Sequence, residues 1–132
     1  VGGGPGGLYA ALLLARRGFD VVVFEEHETP GDPVHCTGVL AAEAFDEFGL
    51  SSDALLNPLK TARFVGPSGG TIEYTTPRTE AVVVDRRVFD RSLFTAAAAA
   101  GARVQVGARV LDVSPGRDSA TLSVGSVGPV QA

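Results

Sequence analysis

The 132-residue chain carries 15 acidic and 11 basic residues, giving a net charge of -4 and a pI near 5.0, and 45% of it is hydrophobic. That is the composition of one globular domain with a real core, and it excludes a disordered tail. No run of Lys and Arg is present to neutralise a phosphate backbone, so nucleic acid is not expected as a partner.

The sequence opens at Val1, without a Met, and drops straight into glycines. A glycine-rich phosphate loop needs a strand before it, and Val1 reads as the last residue of such a strand, so the chain is expected to be truncated at both ends. Gly2, Gly4 and Gly7 form G-x-G-x-x-G. Residues 5–17 follow as a helix, with Leu8, Ala11, Leu12 and Ala15 at i, i+3, i+4, i+7 on one apolar face. Pro5 suits its first turn and Gly18 its end. The apolar run from Leu8 to Ala15 is far below the ~20 residues of a membrane-spanning helix and has no basic segment before it. Neither a signal peptide nor a membrane span is expected.

"FDVVVFE", 19–25, reads as a buried parallel strand because its apolar run is nearly continuous. It ends in Glu25, about 20 residues past the glycines, where a carboxylate accepts hydrogen bonds from ribose hydroxyls and repels a 2′-phosphate. In a dinucleotide-binding turn the first glycine permits the tight turn, the second admits the pyrophosphate, and the third lets helix and strand pack closely. Turn, helix, strand and acid together predict dinucleotide binding. They do not choose between FAD and NAD, since both carry ADP.

The loop "TPGDPVHCTG", 29–38, holds the single cysteine. One cysteine cannot form an internal disulfide, and without a CxxC or an i, i+4 histidine pair no metal site is expected. A reducing, cytoplasmic compartment is the simpler reading. Cys36 is open to three readings: a side chain packed near a cofactor or substrate, a small buried hydrophobe, or a thiol made reactive by a neighbouring positive charge. His35 reads as a loop residue and His27 as exposed.

Residues 41–49 read as a second helix, and a polar break follows at 51–53. "TARFVG" and "TIEYTT" around "PSGG" predict a hairpin over 61–76. "EAVVVD", 80–85, reads as another buried strand and 87–101 as a helix closed by Gly101, with the alanines at 96–100 there for helix propensity. Two arginines at its start, Arg86 and Arg87, read either as a solvated helix start or, since they oppose the helix dipole, as a pair that an anionic ligand would explain. "ARVQVGARVLDVS" and "SATLSVGS" then alternate as β sequence about a turn at Pro115 and Gly116. The class is α/β.

At "GDPVHCTG" the sequence resembles the geranylgeranyl reductase family of FAD-dependent oxidoreductases, through Gly31, Pro33, Cys36 and Gly38 in a G-x-P-x-x-C-x-G loop. "VDRRVFDRSL" is similar to the family's D-R-x-x-F-D-x-x-L segment through Asp85, Arg86, Phe89, Asp90 and Leu93. With "VGGGPGGLYAALLLARRG", the similarity runs over nearly the whole chain. Position 6 is Gly where the family usually has Ala.

The resemblance implies a Rossmann-like FAD/NAD(P)-binding fold with a parallel central sheet and an added β-hairpin or β-meander, residues 1–132 forming one FAD-binding domain. It implies FAD as cofactor, and a flavin that delivers hydride to an isolated double bond of an isoprenoid or lipid substrate, with NADPH or ferredoxin as reductant. The implied cofactor-binding residues are Gly2, Gly4, Pro5, Gly6, Gly7, Glu25, Glu26, Pro33, Cys36, Arg86 and Val110. Among them Arg86 reaches the phosphate or ribityl region, Val110 borders the adenine, and Cys36 lies in the catalytic neighbourhood of the flavin. A cytoplasmic enzyme, peripheral to a membrane where its substrate requires it, follows. The alternatives are a flavin monooxygenase of the aromatic hydroxylase type and a non-catalytic NAD-binding module.

Overall fold

A computed structural model describes residues 1–125 and 127–132. The chain divides into two compact units, Val1–Val34 with Asp90–Ala132, and His35–Phe89.

In the first unit the glycine turn leads into α1 (Pro5–Arg16), then β1 (Val22–Phe24). Leu8, Ala11 and Leu12 are buried, as the spacing predicts. Gly18 sits at φ +86° and its N–H bonds Ala15 O at 2.9 Å, which ends the helix in a left-handed turn.

The second unit holds β2 (Val39–Ala41), α2 (Glu43–Phe48), a 3₁₀ turn (Ser52–Ala54), β3 (Leu55–Leu59), β4 (Thr61–Val65), β5 (Thr71–Thr75) and β6 (Ala81–Val84). Helix α3 (Arg86–Ala99) begins there and continues into the first unit, followed by β7 (Arg103–Gln105), β8 (Val110–Pro115), β9 (Ala120–Val124) and β10 (Gly128–Gln131).

In the first unit β1 pairs in parallel with β7, while β8, β9 and β10 form an antiparallel meander in the order β10-β9-β8. Successive β1 side chains point to opposite faces. Val23 therefore packs with Ala11, Leu12, Ala97 and Ala102, and Phe24 packs with Ala108, Leu122 and Val124. Ala97 is fully buried whereas Ala98 and Ala99 are exposed. Close packing, and not propensity alone, accounts for an alanine at 97.

β1 is shorter than the predicted 19–25. Its partner β7 is itself only three residues long, and Phe19 and Asp20 lie outside the ladder, with Asp20 paired to Arg103 at 3.0 Å. Backbone bonds from Arg103 N–H to Val21 O and from Glu25 N–H to Gln105 O, both 2.9 Å, carry the pairing one residue past each end.

In the second unit β6 is the centre of an antiparallel sheet in the order β2-β6-β3. Its burial alternates, with Val82 and Val84 inside, so it is a half-buried antiparallel strand and not a run buried on both faces. The β4–β5 hairpin forms as predicted, in the register Thr61↔Thr75 to Val65↔Thr71. Gly69, at φ +82°, turns the chain, and its N–H bonds Gly66 O at 3.0 Å.

Three strands have no counterpart in the sequence reading. β3 contains Pro58, which argues against a strand in sequence but is tolerated at a sheet edge, where β3 lies. β10 is likewise an edge strand, opening Gly128-Pro129. β2 takes Ala41, which shortens α2 from 41–49 to Glu43–Phe48. The last predicted turn falls one residue later: Pro115 ends β8, and Gly116 N–H bonds Ser119 O at 2.7 Å. Ser126, at the end of the predicted "SATLSVGS" stretch, lies outside the described residues. No helix among the described residues is long and apolar enough to cross a membrane.

Candidate functional site

The first unit brings most of the predicted residues together around the glycine turn. Gly2 takes φ +93°, a conformation that favours glycine, and its N–H bonds Phe24 O at 2.8 Å, so the turn is stitched to the end of β1. A Cβ at Gly7 would meet the Gly2 carbonyl oxygen at 2.0 Å. The third glycine thus closes the helix onto the turn itself, where close approach to the strand was expected. A Cβ at Gly3 would meet Glu25 Cβ at 2.9 Å.

Gly4 and Gly6 differ from these. A Cβ at either would have nothing within 4 Å. Gly4 is the N-cap of α1 at φ -75°, ψ 177°, extended backbone open to any residue. Pro5 occupies the first helical position, no side chain caps the helix, and no acidic residue lies in its first turn. The unpaired N–H groups and the dipole of that helix start therefore face an open cradle walled by glycine.

Glu25 follows β1 and is buried, at 8% exposure. Its Oε2 accepts the Gly3 N–H at 2.5 Å. Its Oε1 accepts the His27 N–H at 2.8 Å and His27 Nδ1 at 2.7 Å. Burial pushes this carboxyl up, but the His27 and Gly3 donors together outweigh burial and leave it below its ordinary value of 4.5. His27, read as exposed, is half-buried and tied to the predicted ribose ligand.

Two cavities adjoin Glu25. One of about 230 Å³ is lined by Val1, Gly2, Phe24, Glu25, Glu26, Arg109 and Val110. The other, of about 200 Å³, is lined by Gly3, Gly4, Glu25, Glu26, His27, Gly31, Asp32, Pro33 and Asp90. The segment entering β8 reaches the first cavity because Ala108 N–H bonds Glu25 O at 2.8 Å and Gly107 N–H bonds His27 O at 3.2 Å. Arg109, on that segment, stands 3.5 Å from Glu26 across the first cavity. Neither Arg109 nor Asp32 was singled out from sequence, since Arg109 belongs to no motif and Asp32 falls at a variable position of the cysteine loop. Asp90, one of the positions matching the family segment, is 2% exposed and lines the second cavity.

Cys36 and Arg86 come together in the second unit. The Cys36 side chain is exposed, which removes the reading of a buried hydrophobe. Its Sγ accepts the Gly38 N–H at 3.5 Å, and that bond, followed by the hydrogen bond and positive charge of Arg86, holds the thiol below its ordinary value. Gly38 is required at φ +73°, where a Cβ would meet Val84 O at 2.5 Å. Asp85 Oδ1 accepts the N–H of Arg87 at 2.9 Å and of Val88 at 3.2 Å. This acidic cap offsets the two arginines at the start of α3, so the helix dipole does not by itself demand an anionic ligand there. His35 is exposed on the loop. Among the described residues no group of three His, Cys, Asp or Glu side chains could hold a metal ion.

The lowered Glu25 carboxyl makes stability depend on pH. Because the folded value lies below 4.5, its contribution is present in full above 4.5 and is lost as pH falls through the lower folded value. Glu25→Gln removes that titration, and its thermal midpoint is expected to fall less steeply than the wild type below pH 4.5. Parallel acid limbs for the two proteins would contradict the assignment.

Comparison with known proteins gives four findings. Residues 1–44 match the model of an NAD(P)-binding Rossmann-like domain. Digeranylgeranylglycerophospholipid reductase of Methanothrix thermoacetophila is 37% identical over 117 residues, covering 86% of this chain and 30% of that protein. The crystal structure of a geranylgeranyl bacteriochlorophyll reductase-like protein from Thermoplasma acidophilum superposes with a TM-score of 0.81 at 30% identity, over 98% of this chain and 35% of the other. The halogenase PltM in complex with phloroglucinol and FAD, at 17% identity and a TM-score of 0.70 over 99% of this chain and 31% of its own, shares the fold. The chain spans about 30% of the length of the curated relatives it matches.

Proposed function

We propose that the protein, which is similar to geranylgeranyl reductases over most of this chain, is an FAD-dependent oxidoreductase that adds two hydrogens across isoprenoid carbon–carbon double bonds, with residues 1–132 as its FAD-binding part. The observation that carries the cofactor reading is the open cradle at Gly4 and Gly6. Contact with the protein itself accounts for glycine at 3 and 7. No contact among the described residues accounts for it at 4, whereas a pyrophosphate drawn onto the helix start would; position 6 is equally open and admits a small residue. The residues fit the group.

In this reading the Gly6 and Gly7 N–H groups bind the pyrophosphate and Pro5 presets the helix start. Glu25 accepts a ribose hydroxyl, and Glu26 and Val110 border the adenosine in the first cavity. Pro33, Cys36 and Arg86 are assigned to the flavin side, Arg86 to the phosphate or ribityl region and Cys36 to the neighbourhood of the reacting ring. When bound, FAD supplies the hydride chemistry. The contribution of this chain is to orient the cofactor and keep water from it.

The relatives' names support a geranylgeranyl lipid as the substrate class. Such a substrate brings a cytoplasmic protein to the membrane surface, with NADPH or ferredoxin as reductant. The test is to incubate the intact protein with a digeranylgeranyl glycerophospholipid and dithionite and to weigh the lipid by mass spectrometry. A gain of two hydrogens per reduced bond is expected, and an unchanged lipid in the presence of bound, reduced flavin contradicts the substrate class. The match of residues 1–44 to an NAD(P)-binding model favours a second reading, a nicotinamide-binding module, which would show as NAD affinity in a protein without flavin.

A further inference from the structure

We infer that His27 is a positioning residue for the nucleotide: it occupies Oε1 of Glu25 and leaves Oε2 as the one acceptor open to a ribose hydroxyl. The inference rests on the reading of Glu25 as the ribose contact.

A carboxylate offers about four lone-pair sites, two on each oxygen. In this chain Oε1 receives two donors, the His27 N–H and His27 Nδ1, and Oε2 receives one, the Gly3 N–H. The ionised carboxylate has no proton to give, so Nδ1 must carry one. Both the Nδ1–H tautomer of neutral imidazole and the imidazolium satisfy that requirement, so the contact does not depend on His27 changing charge.

His27 is also anchored beyond its ring. Its N–H is spent on Glu25 and its carbonyl accepts the Gly107 N–H at 3.2 Å, which fixes residue 27 against the segment that carries Arg109 and Val110. Without the imidazole, Oε1 keeps only the His27 backbone N–H and becomes a second acceptor, so the hydroxyl has two places to go and the carboxylate is held by one donor fewer. With it, the carboxylate is oriented through Oε1 before any ligand arrives, and a preorganised acceptor loses less freedom on binding. The signal is absent from the sequence pattern because residues 25 and 27 of an extended segment would place their side chains on the same side only if the chain stayed extended past Glu25.

The test is a titration of the intact apoprotein, by calorimetry, with ADP and with 2′,3′-dideoxy-ADP. The wild type should prefer ADP, and Glu25→Ala should abolish the preference. His27→Ala should reduce the preference by roughly 5-fold, the value of one hydrogen bond of ordinary strength, and leave the affinity for dideoxy-ADP unchanged. His27→Asn, whose Nδ2 can donate from nearly the same place as Nδ1, should restore it. If His27→Ala keeps the full preference, or weakens both ligands equally, or if Asn fails to rescue, the positioning role is overturned while Glu25 stands. If the wild type shows no preference, or Glu25→Ala leaves it intact, the ribose reading itself fails and the inference falls with it.

Discussion

Gly4→Val is expected to leave the protein folded and to strip it of its dinucleotide. At φ -75°, ψ 177° the position is extended backbone, which a β-branched residue adopts readily. A Cβ there meets nothing within 4 Å, so no contact of the protein is disturbed. The change in stability should be about 1 kcal/mol, the cost of a poorer residue at the N-cap of α1. Gly4 nonetheless lines the second cavity with Gly3 and Glu25 and opens the helix. Two methyl groups projecting over the uncapped helix start would occupy the path of the pyrophosphate. FAD affinity, measured by quenching of flavin fluorescence, should fall on the order of 100-fold, about 2.7 kcal/mol. Unchanged affinity would mean that the cradle is not where the phosphates lie.

Gly7→Ala should do the reverse and damage the fold before the site. Position 7 is helical, so propensity alone favours alanine by about 1 kcal/mol. Against that, the added Cβ would stand 2.0 Å from the Gly2 carbonyl oxygen, a backbone atom that cannot swing aside. Relief requires moving the turn, and the turn is held by the 2.8 Å bond from Gly2 N–H to Phe24 O and by Glu25 on Gly3. The clash should win, with a net loss of about 3 kcal/mol in urea unfolding, in the range of severe overpacking. A variant as stable as the wild type would contradict this account of why glycine is needed at 7.

The contrast between these two glycines was not legible in the sequence, where G-x-G-x-x-G assigns roles by position alone. Turn, α1 and β1 were legible because each announces itself locally, through a helical apolar face at Leu8, Ala11 and Leu12 and a short apolar run ending in an acid. The hairpin was legible from Gly69 and its flanking strands. Edge strands were not. Pro58 and Pro129 carry signals against β structure that only their places at sheet edges cancel.

In the site, Glu25 could be picked out because its distance from the glycines has a chemical reason. His27 could not, because its bond to Glu25 depends on how the chain bends after β1. Arg109 is distant in sequence from Glu26, and only the pairing of β7 with β1, together with the bond from Ala108 to Glu25, brings it to the cavity. The appeal to an anionic ligand at Arg86 and Arg87 missed that Asp85 caps the same helix.

The central claim, that this segment holds FAD, is tested most directly by the visible absorption spectrum of the intact purified protein, with the released cofactor identified by mass. Flavin absorption with FAD released is the predicted result. A colourless protein that binds NAD would contradict it.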